Sequence, residues 1–291
     1  MSRKSDWIIG GVLIVGVFVF LLFFGLVLFG VLLNSEGSFS YTGQRIALIE
    51  INGPITNARG TVKQIIKYRE DDSVSAIVLR VDSPGGVVAP TQEIFEELRK
   101  TRETGKIIVA SMGSIAASGG YYIACAADSI VANPGTLTGS IGVIFELPNA
   151  EGLMEKLGVN WEVIKSGRHK DIGSLARSMT DEEVRLMQTV VDDVYNQFVD
   201  VVTAYRPLSR TKVIELADGR IYTGNQAQPL HLVDRLGTYE DAIALAAEMA
   251  GITGKPNIVS ERAKTFIELL MENLDSKAGV RSSGIIEYRY Q

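Results

Sequence analysis

The sequence predicts an α/β protein built on a mainly parallel sheet, joined to a single N-terminal transmembrane helix. Short β-branched runs alternate with helical patterns, the signature of βαβ crossovers. Two of those runs lead into glycine-containing loops, where open α/β sheets place function at strand C-termini. Residues 7–33, finally, hold no charged side chain.

That apolar run is rich in Val, Leu, Phe and Gly and, at ~1.5 Å per residue, long enough to cross ~30 Å of hydrocarbon with some tilt. Arg3 and Lys4 precede it and Asn34, Ser35, Glu36 and Gly37 follow. The positive-inside rule therefore keeps residues 1–6 in the cytoplasm and exports the remainder. A cleaved signal peptide is the alternative, but the run exceeds the usual apolar core of ~7–15 residues and lacks a small-x-small site. Residues 34–43 read as a polar linker that holds the exported domain near the bilayer.

In the exported part, Ile46 to Ile51 reads as a strand and residues 61–68 as an amphipathic helix. A strand at Ala76 to Val81 runs into Asp82-Ser83-Pro84-Gly85-Gly86. A helix over residues 91–103 leads to a strand over 106–110. Ser129 to Ala132 and Trp161 to Ile164 are the next strand patterns. Thr180-Asp181-Glu182-Glu183 is a capping box opening a long helix towards Ala204. A further helix covers 239–250, and from 261 an amphipathic helix gives way to a polar and aromatic tail. There is no internal repeat and no low-complexity segment.

At 291 residues, with 46% hydrophobic and 22% charged, the chain has the composition of a folded protein with a substantial core. A net charge of −5 and the lack of a basic stripe give nucleic-acid binding no electrostatic support. The single cysteine, Cys125, excludes an intramolecular disulfide and reads as a buried helix residue. Neither His169 nor His231 has zinc-ligand spacing around it, so no metal or other cofactor is expected.

The most informative run is Ala116-Ala117-Ser118-Gly119-Gly120-Tyr121-Tyr122, which puts a hydroxyl at the start of a helix, where backbone N–H groups lack intrahelical partners. An acyl-transfer nucleophile suits that place, and so does an ordinary N-cap serine. A serine nucleophile needs a base. Histidine is the usual one, but Lys170 stands beside His169, and a neutral amine serves if burial lowers its pKa from ~10.4 by about three units. A solvated loop cation is the plainer reading of Lys170.

Five motifs then occur in order: Val81-Asp82-Ser83-Pro84-Gly85-Gly86, Met112 to Tyr122, Thr138-Gly139-Ser140-Ile141-Gly142, Ser166-Gly167-Arg168-His169-Lys170-Asp171 and Gly219 to Gly224. Together they closely resemble the signal peptide peptidase A family, the serine-lysine peptidases of family S49, over about residues 45–250. The resemblance implies that Ser118 is the nucleophile and Lys170 the general base, with Ser140 orienting the lysine; a turn hydroxyl is the other role for Ser140. Gly86 and Gly119 would supply oxyanion-hole N–H groups, or simply permit tight turns, with Gly85 the substitute for Gly86 if the loop is shifted by one residue. His231 stands where relatives often carry glycine, and neither histidine is assigned to catalysis.

The resemblance further implies a ClpP/crotonase-like fold of repeated ββα units, occupying residues 44–260, with 261–291 a C-terminal helix and tail. Because the chain holds one copy of the domain, the resemblance implies a ring of identical subunits, eight in number, in which adjacent subunits share the dyad. The implied activity is endoproteolysis of remnant signal peptides and other hydrophobic polypeptides at the membrane. Three rivals stand beside it: a protease devoted to one membrane partner, a crotonase-like acyl-CoA enzyme, and a silent scaffold. The tail from Ser282 either docks in an active site or lies disordered on the surface.

Overall fold

The computed structural model describes residues 20–22, 24–25 and 44–261. The chain divides into two units, residues 1–42 and 43–291. In the first, the described residues are helical, with Phe20, Leu21, Leu22 and Phe24 exposed. Among the described residues no helix is long and apolar enough to cross a membrane. The span expected over 7–33, the linker, and the helix and tail beyond 261 lie mostly or wholly outside them.

The second unit is a mixed α/β fold around one sheet. Strands β1 (Arg45–Asn52), β2 (Val74–Ser83) and β3 (Ile107–Ala117) are its centre, separated by helices α1 (Arg59–Glu70) and α2 (Val88–Glu103). β1 and β2 run parallel in register from Ile46 opposite Ala76 to Asn52 opposite Asp82. β2 pairs with β3 from Ala76 opposite Ile107 to Val81 opposite Met112. These strands are apolar on both faces because helices cover both. Ile65, Ile94, Phe95 and Leu98 pack on one face. On the other, α8 (Tyr239–Met249) packs Ala242, Ile243 and Ala246 against Ile46, Val78 and Val109.

β3 is longer than the expected 106–110 strand, and its length lets the sheet fork. Its first half pairs with β4 (Ser129–Ala132), which carries β7 (Arg235–Leu236). Its second half pairs with β5 (Leu137–Gly139), joined antiparallel to β6 (Ile221–Thr223). β8 (Asn257–Ser260) closes the other edge against β1. The second strand of the expected ββα unit is much reduced: after β1 and β2 it survives as one parallel bridge between Ile55 and Gly86.

The remaining helices are α3 (Gly119–Ala124), α4 (Glu151–Leu157), α5 (Asp181–Tyr205), α6 (Arg210–Leu216) and α7 (Gly224–Ala227). α5 starts at the expected capping box: Glu183 N–H donates to the Thr180 hydroxyl, and Thr180 N–H donates to the Glu183 carboxylate. The strand expected at 161–164 does not form. No described strand lies alongside to take its backbone hydrogen bonds, and Trp161 is 62% exposed with Ile164 wholly so. Residues 169–170 lie in a turn.

Below α3, the Arg206 guanidinium is buried and grips both oxygens of Asp234 at 3.0 and 2.6 Å. Its Nε also donates to the carbonyl of His231, and Asp234 accepts from Ile130 N–H in β4. One charged pair thus ties the end of α5 to β4. Arg206→Met should strand the carboxylate and cost about 2–3 kcal/mol, less than a fully buried pair because Asp234 keeps some water; chemical denaturation measures it. Cys125 is buried at the end of α3, and burial pushes its thiol up to about 12. The folded protein should therefore resist iodoacetamide at pH 8 and react only on unfolding, as mass spectrometry would record.

Candidate active site

Ser118 occupies the turn between β3 and α3 with φ of 52° and ψ of −122°, a conformation that L-residues rarely adopt and that costs about 1–3 kcal/mol. Neighbouring backbone over-determines it. Ser118 N–H donates to the Gly139 carbonyl at 2.8 Å, and its own carbonyl accepts from Tyr122 N–H at 2.9 Å. The loop after β2 presses on it from the other side. A Cβ on Gly85, whose φ is 99°, would lie 2.7 Å from Gly119 N and 2.9 Å from Ser118 Cβ. A Cβ on Gly119 would lie 2.9 Å from Thr91 Oγ1. Both glycines are therefore dictated by close approach.

Gly86 is held by two bonds that flank it: Ile55 N–H donates to the Gly85 carbonyl, and Val87 N–H donates to the Ile55 carbonyl. Neither bond uses Gly86 N–H. Gly85 N–H, by contrast, donates to the Ser83 hydroxyl at 3.1 Å. Among the described residues no hydrogen bond takes the N–H of Gly86 or Gly119. The two are neighbours, since Gly86 N lies 3.3 Å from where a Cβ on Gly119 would sit.

Ser140 follows Gly139 with φ of 50°, its N–H donating to the Arg220 carbonyl. Ser118 and Ser140 are thus linked through Gly139. Together with Gly86 and Gly119 they line one cleft of about 530 Å³. Tyr122, Tyr195, Phe198 and Ile144 add apolar walls, and Asp218 stands at the margin. The Tyr122 ring is fixed edge-on between Phe95 and Phe198, at centroid distances of 5.0 and 5.1 Å.

Lys170 is not among the residues that line this cleft. It is exposed, on a run of turns over residues 166–173, where its N–H donates to the Gly167 carbonyl. The next residue, Asp171, is fixed. Its carboxylate accepts two hydrogen bonds from Arg177, both at 2.9 Å, and one from Lys165, which hold it well below the usual carboxylate range. Arg177 also reaches Glu183 at 2.8 and 2.6 Å. That pairing, aided by Thr180 N–H, lowers the Glu183 carboxyl to about 2. His169 faces Glu182 at 3.8 Å, and His231, with φ of 58°, lends its carbonyl to Arg206; neither lines the cleft.

Sequence reasoning did not find the cleft walls from α5. Tyr195 and Phe198 stand three apart on an amphipathic helix, a spacing that looks the same whether the face meets core or substrate. Nor did it find Arg177, whose partners are set by the folding of the turn.

With this geometry in hand, comparison with known proteins is direct. The model of Peptidase family S49 matches residues 100–253, and the model described as Clp protease matches 42–135. A Synechocystis sp. protein provisionally named protease slr0021 is 50% identical over 212 residues, covering 72% of this chain and 76% of that one. An Enterococcus faecium protein provisionally named signal peptide peptidase SppA is 39% identical over 215 residues, covering 69% of this chain and 62% of its own. Among solved structures, a serine-to-alanine mutant of the 1510-N membrane-bound stomatin-specific protease superposes with a TM-score of 0.52. It covers 77% of this chain and all of that one, and at 14% identity it speaks for the fold alone. The parallel-rich sheet with its ClpP-like domain, the S49 match and the protease relatives agree: the chain belongs to peptidase family S49 and is a serine protease of the SppA type.

Proposed function

We propose that this chain is a membrane-anchored endopeptidase whose Ser118 and Lys170 form a catalytic dyad shared between adjacent copies of the chain. The observation that carries the reading is the division of parts within one protomer. Ser118, Ser140 and two unspent N–H groups line a single cleft, while Lys170 is on an exposed turn outside its walls. The segment leading to that turn is apolar where a monomer would be polar: Ile144 is 80% exposed, Leu157 68% and Trp161 62%. Such a surface fits a second copy of the chain, with its strand-like 161–164 run seated against the neighbour. Repeated with a rotation that closes, one such head-to-tail contact would give a ring, of eight copies by the family resemblance.

In this mechanism the Ser118 Oγ attacks a peptide carbonyl and passes its proton to Lys170 Nζ of the adjoining subunit. The tetrahedral oxyanion takes hydrogen bonds from Gly86 and Gly119 N–H, each worth about 3–4 kcal/mol where such donors have been removed. Lys170 then protonates the leaving amine, and water hydrolyses the acyl-enzyme by the same route. Assembly would take the amine out of water, the condition under which it gives up a proton. Ser140, opposite Ser118 across Gly139, orients the incoming lysine by hydrogen bonding.

Aromatic walls suit apolar side chains, and residues 142–144 along the cleft, which belong to neither helix nor strand, suit a peptide bound as an added strand. Remnant signal peptides and other hydrophobic polypeptides are the substrates these features fit. The uncharged run over 7–33 would hold the domain at the outer face of the cell membrane, with the N-terminus in the cytoplasm. No cofactor enters the scheme.

Ser118→Ala and Lys170→Ala should each abolish hydrolysis of a fluorogenic hydrophobic peptide, by about a thousandfold. An equimolar, reassembled mixture of the two should recover about a quarter of wild-type activity, the share of interfaces pairing an intact serine with an intact lysine in a randomly filled ring. Full activity of Lys170→Ala would end the dyad reading. Gly85→Ala, which forces the Ser118 turn to move, should lower kcat/KM by about 100-fold; unchanged kinetics would show that the turn does not set the nucleophile.

A further inference from the structure

We propose that Arg177 is a positioning residue that aims Lys170 by tying the turn that carries it to the first turn of α5. The inference rests on Lys170 being the general base. It starts from the lack of buried anchors at that turn, which otherwise reaches α5 through the exposed pair of Arg168 with Glu182. Residues 161–170 are all exposed, so no buried side chain anchors the approach to it. Its backbone hydrogen bonds are local: Lys170 N–H to Gly167, Ile172 N–H to His169 and Ser174 N–H to Asp171. Turns of this kind set local curvature and leave the direction of the whole loop open.

Direction is supplied by side chains. The Asp171 side chain is only 10% exposed and that of Glu183 4%, although both are carboxylates next to surface turns. One guanidinium serves both as a double fork. Arg177 Nε and Nη2 each donate to Asp171, and Nη1 and Nη2 each donate to Glu183. Two planar carboxylates engaged on one planar cation leave little freedom of rotation or translation. Arg177 Nη1 also donates to the Ser178 carbonyl at 3.0 Å, locking its own backbone to the assembly. Glu183 in turn is part of the Thr180 capping box of α5. The connection therefore runs from α5 through Glu183 and Arg177 to Asp171, the residue adjoining Lys170.

A base must be placed within about 0.5 Å of productive geometry, and an error of about 1 Å costs on the order of 100-fold. A lysine that must reach a neighbour's serine needs its backbone held from its own subunit. Lysine in place of Arg177 could not make both forks, since it offers a point charge with no plane. With both carboxylates held low by Arg177, the clamp stays ionised at neutral pH and works as a fixed brace.

The test places Arg177→Gln on one or the other partner of the complementing mixture, using full-length chains in detergent. Added to the Ser118→Ala chain, which donates the lysine, it should lower kcat by about 10- to 100-fold with KM within about twofold. Added to the Lys170→Ala chain, which donates the serine, it should leave the mixture at its reference activity. That second arm also shows that the variant folds and assembles. Glu183→Gln, which loosens Arg177 from α5, should give the same one-sided loss. Equal losses in both arms, or none in either, would overturn the positioning role while leaving the dyad intact. A reference mixture that recovers no activity would instead remove the shared dyad and this inference with it.

Discussion

The close packing of the loop after β2 against the turn after β3 is the contact on which the site depends. Gly85 and Gly119 touch backbone to backbone at distances that exclude any side chain, and Ser118 is held at positive φ between them and Gly139. A register shift between Val81 and Ser83 carries the end of β2 towards Ala116, so that the two loops meet. The strain is borne by the sheet, whose buried strands supply far more stabilisation than one residue in an unfavourable conformation consumes. What results is a hydroxyl and two N–H groups at fixed mutual positions before any ligand arrives.

How much of this could be read from the sequence depended on the range of each interaction. The strand at 76–81, the Thr180 capping box and the small-residue turn at Ser118 are local, and each formed where its pattern stood. Strands β5, β6 and β7 are two or three residues long and exist because β3 is long enough to pair twice, which no window centred on Leu137 or Ile221 contains. The run at Trp161 to Ile164 shows the opposite failure. Its pattern is that of a strand, yet strand formation needs a partner edge, and none is beside it among the described residues. The candidate site residues followed the same division: Ser118, Ser140, Gly86 and Gly119 line one cleft of the protomer, whereas the motif holding Lys170 was equally legible and lies outside that lining.

Charged side chains complete what the strands begin. Arg206 and Arg177 each hold a carboxylate with two hydrogen bonds, and each fastens one end of α5: Arg206 to β4 through Asp234, Arg177 to the lysine-bearing turn through Asp171. Planar forks suit this task because they fix orientation as well as distance. Hydrophobic packing alone would leave the first half of α5 free to pivot, since Val184, Leu186 and Val190 are exposed and burial resumes only near Phe198.

α5 therefore joins, within one subunit, the Ser118 cleft and the turn that carries Lys170. Its middle lines the Ser118 cleft with Tyr195 and Phe198, and its N-terminus braces the turn that carries Lys170. In a ring with shared dyads these two ends serve different active sites. A substrate side chain that pushes on Phe198 in one cleft would bear on the helix that aims a lysine into the next. Coupling by this route needs no motion of the sheet, only a small rotation of one helix about its Arg206 anchor, and rotations of that size are what packed helices undergo at subunit interfaces. Under the proposed shared dyad, the arrangement that would leave an isolated protomer incomplete would also give neighbouring sites a physical means of responding to each other.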